Sequence, residues 1–226
     1  MLSFDKAIFD LDGTLLDYEH EAHEAIKSVC EKYGGKKFSL AIHASIIGTK
    51  NEFWSRKLVT ELGMTDLLTP EQLVHEYHER MEEACDRMKL LPGAENLLWE
   101  LKSRKIPIAI ATSSTREMVE KKLIHHPVFA ECVDVIVTGD DPAVVNGKPA
   151  PDIFLEAARR LGCTDDFKRV IVFEDSPHGV LGGYRAGMQT VAIPDSRFYP
   201  FMSEENREIF EKNSSLVLKS LDEFSF

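Results

Sequence analysis

The chain has 226 residues, of which 43% are hydrophobic, so it is long enough for one large domain with a substantial core or for a domain that carries an insertion. Its 38 acidic residues outnumber 27 basic ones and give a formal net charge of −11, which disfavours nucleic acids and anionic membranes as partners. Neither a basic and apolar leader nor an apolar stretch of about 18 residues occurs in the sequence, so we expect neither secretion nor a membrane span.

The four cysteines are scattered, with no Cys-x-x-Cys pair and no zinc-ligand spacing. They are Cys30, Cys85, Cys132 and Cys163. We expect them to be small, reduced core residues, as in a cytoplasmic protein.

Near the start of the chain, the apolar residues 7–9 lead into Asp-Leu-Asp-Gly-Thr at 10–14. This pattern predicts a buried strand that stops at a turn. Because side chains alternate along an extended chain, Asp10 and Asp12 can lean to the same side of the strand end. Two carboxylates so close repel each other and need a cation or a shared proton. Magnesium fits such a pair, although Asp-x-Asp-Gly also opens calcium loops, so a purely structural site remains an alternative at this point.

Helical patterns follow at about 17–33, 51–62 and 70–88. This helical block separates the first strand from the rest of the chain. We therefore predict a core of residues 1–16 and 89–226, with residues 17–88 inserted as a small helical domain.

Beyond the helical block, short apolar segments typical of strands alternate with helical segments. We predict strands at 106–111, 133–137, 170–173 and 190–193, and helices at 117–124, 152–161 and 179–186. Continuous apolar strands that alternate with helices predict an α/β fold, with a doubly wound parallel sheet covered on both faces.

Ligands of a doubly wound sheet bind beyond the carboxyl ends of its strands, and polar residues follow several of the predicted strands. Thr-Ser-Ser at 112–114 could hold phosphate oxygens, although such residues are also common in turns and helix caps. Lys148, between a glycine and a proline, could neutralise a phosphate, although a lone loop lysine is usually only solvated. Glu174 and Asp175 follow a buried strand, which indicates metal ligands rather than a solvated charge cluster.

Together, the strand-end features resemble, in order, the motif series of the haloacid dehalogenase-like superfamily, from residue 9 to about 193. This resemblance implies a Rossmann-like core, and residues 17–88 resemble the helical cap of the superfamily. Through residues 139–142, 147–154 and 215–221, the chain is most similar to the eukaryotic pseudouridine-5′-phosphatase and glycerol-phosphatase group.

The resemblance implies a phosphatase of small phosphate monoesters, of the pseudouridine 5′-phosphate, glycerol phosphate or sugar phosphate type, that forms an aspartyl-phosphate. Asp10 would be the nucleophile and Asp12 the general acid and base. Ser113, the amide of Ser114 and Lys148 would bind the transferred phosphoryl oxygens.

The same resemblance implies Mg²⁺ as the cofactor. Its ligands would be the Asp10 carboxylate, the Asp12 backbone carbonyl and Asp175. Glu174 would either bind the ion directly or contact one of the groups that bind it. The expected partner is a small phosphorylated metabolite, and the expected state is a monomer.

A sugar phosphomutase of the β-phosphoglucomutase type is the nearest alternative enzyme. Such mutases usually have a histidine at the position that matches Ala22, whereas here it is His23, on a different helical face. The segment 48–52 also lacks the Arg- and Lys-rich loop expected of a mutase, and Tyr18 stands where relatives often have Ser or Thr. A non-catalytic phosphate-binding protein is a third alternative, but it should have lost a motif residue, and none is missing.

Overall fold

A computed structural model describes residues 2–47, 49 and 51–226. The expectation about the segment 48–52 concerns Gly48 and Lys50, which lie outside the described residues. The chain forms two compact units. The larger consists of Met1–Asp17, Lys89–Ser196 and Ser203–Phe226, and the smaller of Tyr18–Met88 and Arg197–Met202. The smaller unit thus includes a short segment, 197–202, that the sequence interpretation assigned to the core.

The larger unit is built on a parallel sheet, which has six strands in the described part of the chain, in the order β3-β2-β1-β4-β5-β6. In chain order they are β1 (Lys6–Phe9), β2 (Ile108–Ala111), β3 (Val135–Val137), β4 (Val170–Glu174), β5 (Gln189–Ala192) and β6 (Leu216–Val217). The residues of β2 and β4 are all buried, as their continuous apolar sequences predict. Because the strand order reverses at β1, a crevice for ligands is expected beside its carboxyl end.

The smaller unit is helical. Its α-helices among the described residues are α1 (Tyr18–Lys32), α2 (Leu40–Ala44), α3 (Asn51–Glu61) and α4 (Pro70–Ala84). The start of α4 follows the predicted signal: Thr69 accepts a hydrogen bond from the Gln72 amide, and the Gln72 side chain accepts one from the Thr69 amide. The sequence interpretation did not include α2, because five residues are too few to show a helical repeat.

The helices of the larger unit flank the sheet. They are α5 (Ala94–Ser103), α6 (Arg116–Leu123), α7 (Pro127–Cys132), α8 (Asp152–Arg160), α9 (Pro177–Arg185) and α10 (Glu204–Asn213). Of these, α8 packs on β1, β2 and β3 through Ile153, Phe154 and Ala157, all of which are buried. The predicted α/β fold with a doubly wound parallel sheet is confirmed. No helix of the described residues is long and apolar enough to cross a bilayer.

The four cysteines are buried and free. Burial raises the pKa of Cys30 to about 11 and also raises the pKa of Cys132. Both thiols therefore stay protonated and unreactive near neutral pH, in keeping with the core role expected for them.

Candidate active site

The turn after β1 brings the ends of β1 and β4 together. The amide of Asp10 donates to the carbonyl of Phe173 in β4 at 3.0 Å, which continues the parallel pairing to the last residue before the turn. The chain then turns at Gly13, whose φ is +94°. A Cβ at Gly13 would lie 2.2 Å from Oδ2 of Asp175. Glycine is therefore required here both by its backbone angle and by the close approach of Asp175.

Lys148 lies between two of the predicted acidic residues. Its ammonium contacts Oδ1 of Asp10 at 2.5 Å and Oε1 of Glu174 at 2.6 Å, and it donates to the carbonyl of Ala111 at 3.0 Å. Only 6% of the Lys148 side chain is exposed. Lys148 is thus a buried cation that links three strand ends, and it is not a solvated loop lysine.

Burial and the neighbouring charges both shift the pKa values of Asp10 and Lys148. Burial raises the pKa of Asp10 to about 7, and the charges of Glu174 and Asp12 add to this effect, although Lys148 opposes it. Burial alone would lower the pKa of Lys148, but the charges of Asp10 and Glu174 outweigh it and raise that pKa. Because these surroundings disfavour the ionised form of Asp10, a further cation beside it would stabilise the carboxylate.

Glu174 has both carboxylate oxygens engaged. Oε1 accepts from Lys148, and Oε2 accepts from the amide of Ser176 at 2.9 Å and from its hydroxyl at 3.0 Å. The neighbouring Asp175 accepts a hydrogen bond from the Thr14 hydroxyl at 3.2 Å. These contacts make Glu174 an anchor for Lys148. Asp175, the residue directly after β4, is the carboxylate beside the turn at Gly13.

Asp12 has its own cation, Lys122, which the sequence interpretation missed. The Lys122 ammonium is 2.7 Å from Oδ1 and 2.8 Å from Oδ2 of Asp12, and it donates to Oγ of Ser114 at 2.9 Å. The Ser114 hydroxyl donates to Oδ2 of Asp12 at 2.6 Å. The sequence signal for Lys122 is its spacing: it lies three residues after Val119 on the buried face of α6.

Of the three residues after β2, the structure brings Ser114 to Asp12 but leaves Ser113 exposed. The Ser113 backbone packs against Gly139, where a Cβ would lie 2.4 Å from the Ser113 carbonyl oxygen. Thr112 is buried, and its hydroxyl accepts from the Ser114 amide at 3.1 Å. The structure thus places the Ser114 hydroxyl at Asp12 and Thr112 in the interior, while the phosphate-binding role expected of Ser113 stays a prediction.

The site contains four carboxylates and two ammonium groups. The carboxylates are Asp10, Asp12, Glu174 and Asp175, and the ammonium groups are Lys122 and Lys148. Within the described residues, no three His, Cys, Asp or Glu side chains form a preformed metal cluster. Magnesium, however, usually needs only one or two carboxylates, with carbonyl, water and phosphate oxygens completing its shell. The excess negative charge and the oxygen donors here fit that ion.

The chain is similar to known proteins over most of its length. The family described as "Haloacid dehalogenase-like hydrolase" matches residues 7–193. "(DL)-glycerol-3-phosphatase 2" of Arabidopsis thaliana is 38% identical over 197 residues, which are 86% of this chain and 81% of that protein. A Drosophila melanogaster protein named "Probable pseudouridine-5'-phosphatase" is 37% identical over 218 residues, 96% of this chain and 90% of that one.

A solved structure supports the same relationship. The HAD family hydrolase of Deinococcus radiodurans, crystallised with bound phosphate and sodium, has a TM-score of 0.79 at 25% identity and covers 99% of this chain and 94% of that one. This chain belongs to the haloacid dehalogenase-like hydrolase family. Within that family it is an enzyme, a phosphoric monoester hydrolase.

Proposed function

We propose that this enzyme is a magnesium-dependent phosphatase that hydrolyses a small phosphorylated metabolite through an aspartyl-phosphate at Asp10. The observation that carries the proposal is the buried contact between Asp10 and Lys148, 2.5 Å long, at the carboxyl end of β1. A carboxylate fixed at this edge of the sheet can act as a nucleophile, and the adjacent ammonium group can stabilise the negative charge of a transferring phosphoryl group.

In the first step, a carboxylate oxygen of Asp10 forms a bond to phosphorus as the ester P–O bond breaks. Asp12 gives its proton to the departing alkoxide, which leaves as an alcohol. In the second step, Asp12 takes a proton from water, the water oxygen attacks phosphorus, and the bond between Asp10 and phosphorus breaks. Inorganic phosphate and the Asp10 carboxylate are the products, so atoms and charges balance over the cycle.

Magnesium would be held by the Asp10 carboxylate, the Asp12 backbone carbonyl and Asp175, and when bound it would supply positive charge to the phosphoryl oxygens. We assign Glu174 an indirect role, because both of its oxygens are engaged by Lys148 and Ser176.

Phosphate contacts are proposed for the segment after β2 and for Lys148. The amide and hydroxyl groups of this segment are donors at the carboxyl end of β2, where the sheet binds ligands. Because Ser113 is exposed, we favour the buried Thr112 over Ser113 as the hydroxyl of this group. The Ser114 amide donates to the Thr112 hydroxyl in this structure, and we propose that it exchanges this contact for a phosphoryl oxygen when substrate binds.

The substrate is proposed to resemble those in the names of the two relatives, glycerol phosphate or pseudouridine 5′-phosphate, with a sugar phosphate as the third expected type. We favour hydrolysis over sugar phosphate mutation. His23, the histidine nearest the position used by mutases, contacts His43 within the smaller unit at 3.2 Å and stacks on Phe38. The smaller unit is proposed as the cap domain of the enzyme.

The test is a panel of phosphate esters assayed with magnesium, using wild type, Asp10→Asn and, as a control, Asp165→Asn, an exposed site. We expect Asp10→Asn to be folded and inactive, because asparagine has no nucleophilic carboxylate oxygen, and Asp165→Asn to match wild type. More than a trace of activity in Asp10→Asn would exclude this nucleophile. Formation of glucose 6-phosphate from β-glucose 1-phosphate, with glucose 1,6-bisphosphate present, would favour a mutase instead.

A further inference from the structure

Lys122 is a buried lysine on a helix that borders solvent. Only 1% of its side chain is exposed, whereas its neighbour Lys121 is 36% exposed and pairs with Glu117 on the same helix. Burying an ammonium group removes its hydration, which costs free energy unless strong partners replace the water. Two of the proposed site residues, Asp12 and Ser114, are among the groups that replace it here.

The three groups form a closed triangle of contacts. Lys122 contacts both oxygens of Asp12, and Ser114 accepts from Lys122 while it donates to Oδ2 of Asp12. A carboxylate held through both oxygens cannot rotate about its last bond without breaking a contact. The plane of the Asp12 carboxylate is therefore fixed by Lys122 and Ser114 together.

This arrangement also distinguishes the two oxygens of Asp12. A carboxylate has about four lone-pair directions for hydrogen bonds. Oδ2 accepts from both Lys122 and Ser114, and Oδ1 accepts from Lys122. Of these contacts, two are made to Oδ2 and one to Oδ1, so Oδ1 is the oxygen that retains a direction for proton transfer.

We propose that Lys122 is a positioning residue for the general acid and base, Asp12. It orients the Asp12 carboxylate so that Oδ1 is the oxygen that exchanges protons with the leaving alkoxide and with water. The inference rests on the proposed function, in which Asp12 protonates the leaving alkoxide while the ester P–O bond breaks and the bond between Asp10 and phosphorus forms. Lys122 acts through Asp12, and the bonds that form and break are the same without it.

The experiment compares Lys122→Met with Lys121→Met on two esters, p-nitrophenyl phosphate and glycerol 3-phosphate. The value of kcat/KM reports the steps up to release of the leaving group. The p-nitrophenolate ion leaves without protonation, whereas the glycerol alkoxide needs the proton of Asp12. For Lys122→Met we expect kcat/KM to fall by about 10- to 100-fold with glycerol 3-phosphate, part of what a general acid contributes, and by less than about 3-fold with the aryl ester. Lys121→Met should match wild type on both esters.

Equal losses on the two esters would overturn the inference, because a purely structural role of Lys122 would lower both rates alike. Unchanged kinetics of Lys122→Met would also overturn it. The ratio of the two rates does not depend on the fraction of folded enzyme, so partial unfolding leaves the result readable. If Lys122→Met does not fold, Ser114→Ala removes one contact of the triangle and should show the same selective loss in weaker form, and an equal loss or no loss there refutes the inference.

The proposed function and the role of Lys122 can be refuted separately. If wild type releases no phosphate from any ester with magnesium, or if Asp10→Asn stays active, the proposed function is wrong. If wild type is active, Asp10→Asn is inactive and the ratio of the two rates is the same in Lys122→Met as in wild type, only the role of Lys122 is wrong.

Discussion

Gly179, in the first turn of α9, tests whether the anchor of Lys148 matters. A Cβ added at Gly179 would lie 1.7 Å from Oε1 of Glu174 and 1.8 Å from its carboxyl carbon. No side chain rotation at Gly179 can relieve such an overlap, since the Cβ is fixed to the backbone. Glu174 is fully buried, and its Oε1 holds the Lys148 ammonium at 2.6 Å. Gly179→Ala must therefore displace either α9 or the carboxylate that anchors Lys148.

The expected cost combines two effects. Overpacking of a buried position typically costs about 1–3 kcal/mol, and separating a buried ion pair costs up to about 3–5 kcal/mol. The protein can relieve the overpacking by moving Glu174 away from Lys148, or keep that ion pair and accept the overpacking. We therefore expect Gly179→Ala to lower the free energy of unfolding by about 2–5 kcal/mol. Phosphatase kcat should fall as well, since Lys148 loses one of its two carboxylate partners. Urea unfolding followed by far-UV circular dichroism measures the first quantity, and phosphate release measures the second.

Gly147→Ala is the matched control. Gly147 directly precedes Lys148, yet a Cβ there would meet no atom within 4 Å, and its φ is not in the left-handed region. We expect its stability to stay within about 0.5 kcal/mol of wild type, as for other exposed substitutions, with activity retained. A Gly179→Ala protein as stable and as active as wild type would show that Glu174 does not anchor Lys148 in the way described.

Two further predictions concern the charges at the site. The pKa of Asp10 is raised from 3.8 to about 7, mainly by burial, so the folded protein binds this proton more tightly than the unfolded chain does. Without metal, wild type should therefore lose stability relative to Asp10→Asn as the pH rises from about 4 to 7; unfolding of both proteins in EDTA across this range tests it, and a constant difference would contradict it. Asp175→Ala should lose activity together with its dependence on magnesium, because a proposed ligand is removed; an unchanged magnesium titration would place the ion elsewhere.

The sequence predicted the convergence of strand ends because that convergence follows from topology. Once the strands are parallel, their carboxyl ends meet at one edge of the sheet, so Asp10, Glu174 and Lys148, in the connection after β3, could be grouped from the sequence alone. The contacts among these residues, all under 3 Å, show that the grouping is present in the structure. The catalytic roles of these residues remain predictions.

Positions that depend on packing could not be read from the sequence. Lys121 and Lys122 are chemically identical neighbours, and the spacing from Val119 indicates Lys122 only once packing has set which face of α6 is buried. Likewise, the sequence interpretation named Ser113 after β2, and only the structure shows that Thr112 is buried and that the Ser113 backbone lies close to Gly139. Such choices are made by contacts between segments distant in sequence.

The structure also answers a question that the first motif left open. Asp10 and Asp12 repel each other and were expected to need a cation or a shared proton. In the larger unit each carboxylate has its own ammonium group: Lys148 for Asp10, and Lys122 for Asp12. Separate partners allow one aspartate to act as the nucleophile while the other handles protons, which is the division of labour that the proposed reaction demands.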